Sequence, residues 1–245
     1  MPKHAVAGAL LMAIAAMAAL SAMDAAAKGL TASLPAAEIV FFRYVGGSVW
    51  LALHTVLTGG AWPQRRYLRQ HALRALVMGM TALLFFFALS RLPLALATAL
   101  AMTGPVHVAL LSGLLLRERL APATILAIGL ALAGALVIVF GAHAVSLSGS
   151  DNWLAWAAAF AAPVTYALGV VMMKSHTSIE PSGAMALAQS VLIMVFALPV
   201  VAAGFVMPPQ QTWPLLVLIG LLGAIGNIVL IAALRRGAAA IVSLS

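Results

Sequence analysis

Charge is scarce in this 245-residue chain: only 7% of the residues are charged, whereas soluble domains typically carry about 25%. A globule in water needs more charge than this on its surface, so most of the surface must contact lipid. Cysteine is absent, which excludes disulfides and thiolate metal sites. Only five residues are acidic, and both Asp24 and Glu38 fall near the ends of apolar runs. The sequence therefore offers no obvious mid-membrane proton carrier.

Apolar residues make up 64% of the chain, and the mean hydropathy is +1.13. They occur in runs of membrane-spanning length. The run Leu94–Leu116 contains Thr103-Gly104-Pro105 near its middle. As a helix it spans roughly 34 Å, enough to cross a hydrocarbon core of about 30 Å. We predict one spanning helix with a central proline here, and an all-α polytopic membrane protein overall.

The polar connections between apolar runs set the number of spans and their orientation. We predict eight complete spans and the start of a ninth, at about 5–27, 36–58, 73–90, 94–116, 122–141, 153–173, 183–206, 213–233 and from 238 onward. With the N-terminus in the cytoplasm, ten of the thirteen Lys and Arg residues lie on the cytoplasmic side. This positive-inside bias explains the net charge of +8 better than a nucleic-acid partner does.

Residue types that are rare in this chain recur about 146 positions apart, which indicates an internal repeat. The matched pairs are Lys28/Lys174, Thr31/Thr177, Pro35/Pro181, Pro63/Pro209 and Gln64/Gln210, with Arg91/Arg236 at 145. We predict a first repeat over 1–142 and a second over 152–245. Because one copy holds five spans, the second is inverted in the membrane. A complete protein of this plan has ten helices and about 285–290 residues, so we expect the chain to be C-terminally incomplete.

Ionisable residues inside spans are the main candidates for a binding site. Asp24 and Lys28 lie four residues apart on one helix face, so they can neutralise each other or snorkel to the outer interface. Arg43 can contact an anionic ligand, pair with Glu38 or bind lipid phosphate. Lys28 and Arg43 are predicted substrate contacts, and Asp24 is a secondary candidate.

Four polar residues within spans complete the candidate set. His107 follows Pro105, whose ring interrupts the helical hydrogen bonds and frees a carbonyl. His107 and Tyr166 are predicted substrate contacts, whereas Gln189 and Asn227 are secondary candidates. For each of the four, helix packing and interhelical hydrogen bonding are open alternatives.

Several chemistries lack a sequence signal. The sequence shows no metal-ligand spacing, no HExxH, no G-x-S-x-G within a span and no phosphate-binding P-loop. We therefore expect no catalytic residue, no metal, no cofactor and no enzyme activity.

Short motifs recur along both halves. In the first half they are Lys28, Leu34-Pro35-Ala-Ala-Glu38, Phe42-Arg43-Tyr44, Arg91-Leu92-Pro93, Gly104-Pro105-Val106 and Leu114-Leu-Leu-Arg-Glu118-Arg119-Leu120. In the second half the motif is Leu234-Arg235-Arg236-Gly237-Ala238-Ala239-Ala240. Together, in this order and spacing, they resemble the EamA-type permeases of the drug/metabolite transporter superfamily. The resemblance implies a ten-helix bundle of two inverted five-helix repeats with both ends in the cytoplasm.

The resemblance also implies a secondary transporter that exports or exchanges small metabolites, amino acids or drugs by alternating access. A non-transporting membrane scaffold or assembly subunit is the alternative from another class. The expected partners are a small-molecule substrate, membrane lipid and, as an open alternative, a second copy in a homodimer; nucleic acid is not among them. We expect a multi-pass protein of the bacterial inner membrane.

Overall fold

A computed structural model describes residues 2–115, 122–144, 153–174 and 180–242 of the chain. Within these ranges the chain is helical and contains no strand. The described helices are α1 (Pro2–Leu30), α2 (Ala36–Thr58), α3 (Leu68–Arg91), α4 (Leu94–Ala101), α5 (Gly104–Leu115), α6 (Pro122–Ala144), α7 (Trp153–Lys174), α8 (Ser182–Ala202) and α9 (Trp213–Val242). Two 3₁₀ turns, Arg65–Tyr67 and Gln210–Thr212, precede α3 and α9.

Seven helical segments of the described ranges are long and apolar enough to cross a membrane. They are Gly8–Leu30, Ala36–Thr58, Arg65–Arg91, Leu94–Leu115, Trp153–Met173, Ser182–Ala202 and Gln210–Arg236. Helix α6 adds a shorter apolar stretch, Ile128–Val137. The prediction of an all-α polytopic membrane protein is confirmed.

Proline and glycine mark several helix boundaries. Pro35 and Pro181 directly precede α2 and α8, where a fixed φ suits a helix start and the missing N–H leaves no bond unmade. Gly59 ends α2 in the left-handed region, with φ of 61°. Its N–H and that of Gly60 bond back to the carbonyls of Val56 and Thr55, which is a typical helix C-terminus.

The fourth predicted span is confirmed as one segment of spanning length, Leu94–Leu115, and a short break beside its central proline divides it into two helices. Helix α4 ends at Ala101 and α5 begins at Gly104. Pro105 has no N–H to continue the ladder, so the chain turns before it. The Thr103 carbonyl accepts the backbone N–H groups of Val106 and His107 and starts the next helix.

The predicted ninth helix does not begin at Ala238. Helix α9 runs without interruption through Arg235 and Arg236 to Val242. The equivalent point of the first half has Pro93, which ends one helix and starts another, whereas the second half has Ala238 there. With no proline, the helix continues, since glycine at 237 costs only about 1 kcal/mol relative to alanine.

The described helices form two compact units. The first comprises the described residues of 1–76 and 172–245, which hold α1, α2, α8, α9 and the start of α3. Helix α1 packs on α9, and α2 packs on both α8 and α9. Its core includes Leu51, Met173, Met185, Ala186, Leu187, Ala224 and Ile231.

The second unit comprises the described residues of 77–171. A core of leucine, alanine and phenylalanine joins the end of α3 and α4 to α7, while α6 packs against α4 and α5. The Thr81 hydroxyl donates to the Thr165 hydroxyl at 2.8 Å, which links α3 to α7. A Cβ at Gly169 would overlap the Met78 side chain, so α7 also approaches α3 closely at this point.

Candidate functional site

Arg43 lies where α1, α2 and α9 meet, in a space left by a glycine of α9. A Cβ at Gly223 would lie 3.2 Å from Arg43 Nε and 3.3 Å from the sulfur of Met23 on α1. The side chain of Arg43 therefore crosses the surface of α9 and reaches α1. Any larger residue at 223 has to displace it.

Two neighbours define the electrostatics of this position. Arg43 Nη1 donates to the Tyr44 hydroxyl at 3.1 Å, and the guanidinium carbon lies 4.7 Å from the centroid of the Tyr44 ring. The Asp24 carboxyl on α1 interacts electrostatically with Arg43 on α2. We call Asp24, Arg43 and Tyr44 the Arg43 cluster. It places an acid and a base from two helices inside the helix packing.

The structure gives Arg43 and Glu38 neighbours that the sequence does not predict. Arg43 lies near Asp24, whereas Glu38 Oε1 accepts the backbone N–H of Val206 at 2.6 Å. Lys28 is half-buried one turn after Asp24, and its carbonyl accepts the Thr31 hydroxyl at 2.7 Å. The sequence thus placed these residues in one region but did not identify their partners.

Of the two secondary candidates in the second half, only Gln189 is fully buried. Its side chain is 1% exposed, and Oε1 has no hydrogen-bond partner in the part of the chain that the structure describes. Ser190 beside it faces α2, because its Oγ would lie 3.6 Å from a Cβ at Gly47. Asn227 on α9 is half-buried.

His107 and Tyr166 belong to the second unit. The Tyr166 ring packs over Gly104, where a Cβ would lie 3.0 Å from the ring. His107 Nδ1 lies 2.9 Å from the Thr103 carbonyl. Because a carbonyl can only accept, this nitrogen carries the proton, and Nε2 of the neutral ring is left as an acceptor.

A second buried polar group was missed by the sequence analysis. His71 and Arg74 on α3 and Glu180 before α8 are each less than 5% exposed. His71 Nε2 lies 2.6 Å from Glu180 Oε2, and Arg74 Nη2 donates to the Met185 carbonyl at 3.0 Å. We call His71, Arg74 and Glu180 the His71–Glu180 network. Arg74 falls at the start of the span predicted at about 73–90, and because α3 already begins at Leu68, the side chain of Arg74 is buried.

The hydrogen bond from Arg74 selects one tautomer of the His71 imidazole. Arg74 Nη2 lies 3.3 Å from His71 Nδ1, and because arginine can only donate, Nδ1 is the acceptor. The proton of the neutral imidazole is therefore on Nε2, which faces Glu180. Glu180 also accepts the Gln64 N–H on Oε1 at 3.0 Å, and its backbone carbonyl lies 3.4 Å from Arg235 Nη1. The Glu180 side chain thus contacts α3 and the loop after α2, and the Glu180 backbone carbonyl contacts α9.

A cavity of about 520 Å³ lies between α2 and α8 and ends near the His71–Glu180 network. Its lining is mostly aliphatic, with polar groups only at a few positions. The lining residues are Val45, Ser48, Val49, Ala52, Trp62, Pro63, Gln64, Arg65, Leu68, His71, Leu187, Ala188, Val191, Leu192 and Met194. None of the seven predicted site residues is among these described lining residues.

Apolar helices of spanning length with charged groups buried between them define a polytopic membrane protein. Residues 7–140 match the EamA-like transporter family, and the chain belongs to that family. It is an integral, multi-pass membrane transporter whose substrates are small molecules. Family members and relatives are transporters, not enzymes.

Two named relatives and one solved structure are similar over nearly the whole chain. The pseudopaline exporter CntI of Pseudomonas aeruginosa is 31% identical over 96% of this chain and 81% of its own length. A riboflavin transporter of Rhizobium johnstonii is 29% identical over 92% of this chain and 74% of its own. A crystal structure aligns with a TM-score of 0.74 and 21% identity over 94% of this chain and 80% of that one, which shows the fold alone.

Proposed function

We propose that this protein is a secondary transporter that exports or exchanges small metabolites, amino acids or drugs across a bacterial inner membrane by alternating access. The observation that carries the proposal is the Arg43 cluster, which brings a carboxyl and a guanidinium together between α1 and α2 in a family of transporters. Charged groups within spans are costly and are typically retained for function. The relatives named as a pseudopaline exporter and a riboflavin transporter both move small molecules, which supports the same role.

The substrate class follows from the chemistry of the cluster. A guanidinium binds a carboxylate through two parallel hydrogen bonds, and Arg43 already interacts electrostatically with the Asp24 carboxyl. A substrate carboxylate can take the place of Asp24, with Lys28 one turn further along α1 as a second cation. Asp24 is then available for a substrate amine. We therefore propose a metabolite with a carboxylate, and with an amine where it is an amino acid.

In the second unit, we propose His107 and Tyr166 as further substrate contacts. His107 Nε2 accepts a hydrogen bond, while the Tyr166 ring over Gly104 offers an apolar face next to a hydroxyl. Gln189 and Asn227 remain secondary candidates in the first unit. Gln189 Oε1, which lacks a partner among the described residues, can accept a substrate N–H.

An export screen tests the proposal. Cells expressing the chain and cells with an empty vector are compared by mass spectrometry of the medium, and we expect a carboxylate-bearing metabolite to be enriched by the transporter. Arg43→Ala should reduce that export about tenfold or more, since hydrogen bonds to charged groups are worth about 1.5–3 kcal/mol. Arg43→Lys should retain part of it.

Arg66→Ala is the matched control. Arg66 is exposed beside α3 and stacks on Tyr67, with its guanidinium carbon 4.6 Å from the ring centroid. Its removal should leave export unchanged. If no metabolite is enriched, the transport proposal is wrong; if export survives Arg43→Ala intact, Arg43 is not a substrate contact.

A further inference from the structure

Two glutamates make the same kind of contact at opposite ends of the α2–α8 pair. Glu38, in the first turn of α2, accepts the N–H of Val206 in the loop after α8 at 2.6 Å. Glu180, just before α8, accepts the N–H of Gln64 in the loop after α2 at 3.0 Å. In each case a carboxylate at the start of one helix holds the backbone that follows the other helix. Helices α2 and α8 therefore run antiparallel, and each end of the pair is closed by one such bond.

We propose that these two contacts are the latches that close the two faces of the transporter in turn. We call them the Glu38 latch and the Glu180 latch. The proposal rests on the proposed function, since alternating access requires each end of a helix pair to open while the other stays closed. A charge-assisted hydrogen bond from a loop N–H to a carboxylate suits this task, because water that enters an opened end can replace the lost donor and acceptor.

The surroundings of the two latches differ. Glu180 is additionally held by His71 Nε2 at 2.6 Å and, through its carbonyl, by Arg235. Glu38 is 2% exposed, and its Oε2 has no hydrogen-bond partner among the described residues. The Glu38 latch therefore has fewer bonds to break, and we infer that its end of the pair opens more readily than the Glu180 end.

Cysteine labelling tests the latches, because the native chain contains no cysteine. Val201→Cys and Thr55→Cys place reporters in the last turns of α8 and α2, where the native residues are 4% and 3% exposed. Val201 lies at the end closed by Glu38, and Thr55 at the end closed by Glu180. The full chain is placed in lipid nanodiscs, which expose both faces to a water-soluble maleimide.

Each latch variant should open only its own end. Glu38→Gln should raise the labelling rate of the Val201→Cys reporter about tenfold and leave the Thr55→Cys reporter unchanged, since a charged hydrogen bond becomes a neutral one. Glu180→Gln should do the reverse. Each glutamine variant is expected to affect one reporter and not the other, so each variant is the control for the other. Glu38→Ala and Glu180→Ala, which remove the acceptor, should enlarge the same effects.

Two results would contradict the latch proposal. One is an equal increase in labelling rate at both reporters, and the other is no increase at either reporter in any glutamine or alanine variant. The labelling uses no substrate, so its outcome is separate from the export screen. Export with unchanged labelling contradicts the latches alone. Absence of export contradicts the proposed function, whatever the labelling shows.

Discussion

Gly46 and Gly220 touch through their backbones. A Cβ on Gly220 would lie 2.7 Å from Gly46 Cα, and one on Gly46 would lie 3.0 Å from Gly220 Cα. Both distances run from the added Cβ to a main-chain atom of the other helix, and a main-chain atom cannot rotate away as a side chain can. Helices α2 and α9 therefore approach closely at these glycines, one turn after Arg43 on α2.

Gly220→Ala should destabilise the protein. The added methyl group overlaps the backbone of Gly46, and overpacking of this kind costs about 1–3 kcal/mol. The measurement is thermal unfolding of the purified protein in detergent. Gly8→Ala is the control, because a Cβ at Gly8 meets nothing within 4 Å and alanine favours the helix. Equal unfolding temperatures for Gly220→Ala and the native chain would show that α9 can move away from α2 at no cost.

Gly223→Ala should change transport more than stability. Its Cβ would lie 3.2 Å from Arg43 Nε, and a flexible side chain can shift by the few tenths of an ångström required. The shift moves the guanidinium, so we expect the KM of the exported metabolite to rise while the unfolding temperature stays near the native value. The measurement is export rate against intracellular substrate concentration. An unchanged KM would mean that the position of Arg43 is not critical for substrate binding.

His71→Ala should destabilise the first unit. It leaves a donor of Arg74 and an oxygen of Glu180 without their partner, and an unsatisfied buried polar group costs about 1–3 kcal/mol, more when it is charged. Chemical unfolding in detergent measures the loss. His54→Ala is the matched control, since His54 is exposed on α2. A His71→Ala protein as stable as the control would show that water replaces the imidazole.

Single cysteines can test the membrane orientation. Ala61 and Ala203 are exposed residues of the loops that follow α2 and α8. With the N-terminus in the cytoplasm, Ala61→Cys should react with an impermeant maleimide only after cells are permeabilised, whereas Ala203→Cys should react in intact spheroplasts. The reverse pattern would place the N-terminus outside. Labelling of both from one side would contradict an inverted repeat.

The positions of the spans were predictable because hydropathy alone dictates them. The second predicted span, 36–58, coincides with α2, since Pro35 and Gly59 mark its ends. Breaks within a span were harder to predict. Pro105 interrupts a run of apolar residues that any hydropathy average reads as one helix, and α9 continues through charged residues because nothing sterically stops it.

The candidate site was predictable only in part. Asp24 and Arg43 stand out as charges in apolar runs, but their mutual interaction crosses two helices and has no signature in sequence spacing. The His71–Glu180 network was missed because charges near span ends are expected to lie in water. The available signal was the i, i+3 spacing of His71 and Arg74, which puts both on one face of α3.

The donors of the Glu38 and Glu180 latches are main-chain groups of Val206 and Gln64. Any amino acid except proline supplies such a donor, so the loops can change in composition without losing the contact. Prolines stand close to both places, directly before Gln64 at 63 and two residues after Val206 at 208, but neither donor position holds one. A substitution of Val206 or Gln64 by any residue except proline therefore keeps the donor, whereas a substitution that removes the carboxyl group of Glu38 or Glu180 removes the acceptor.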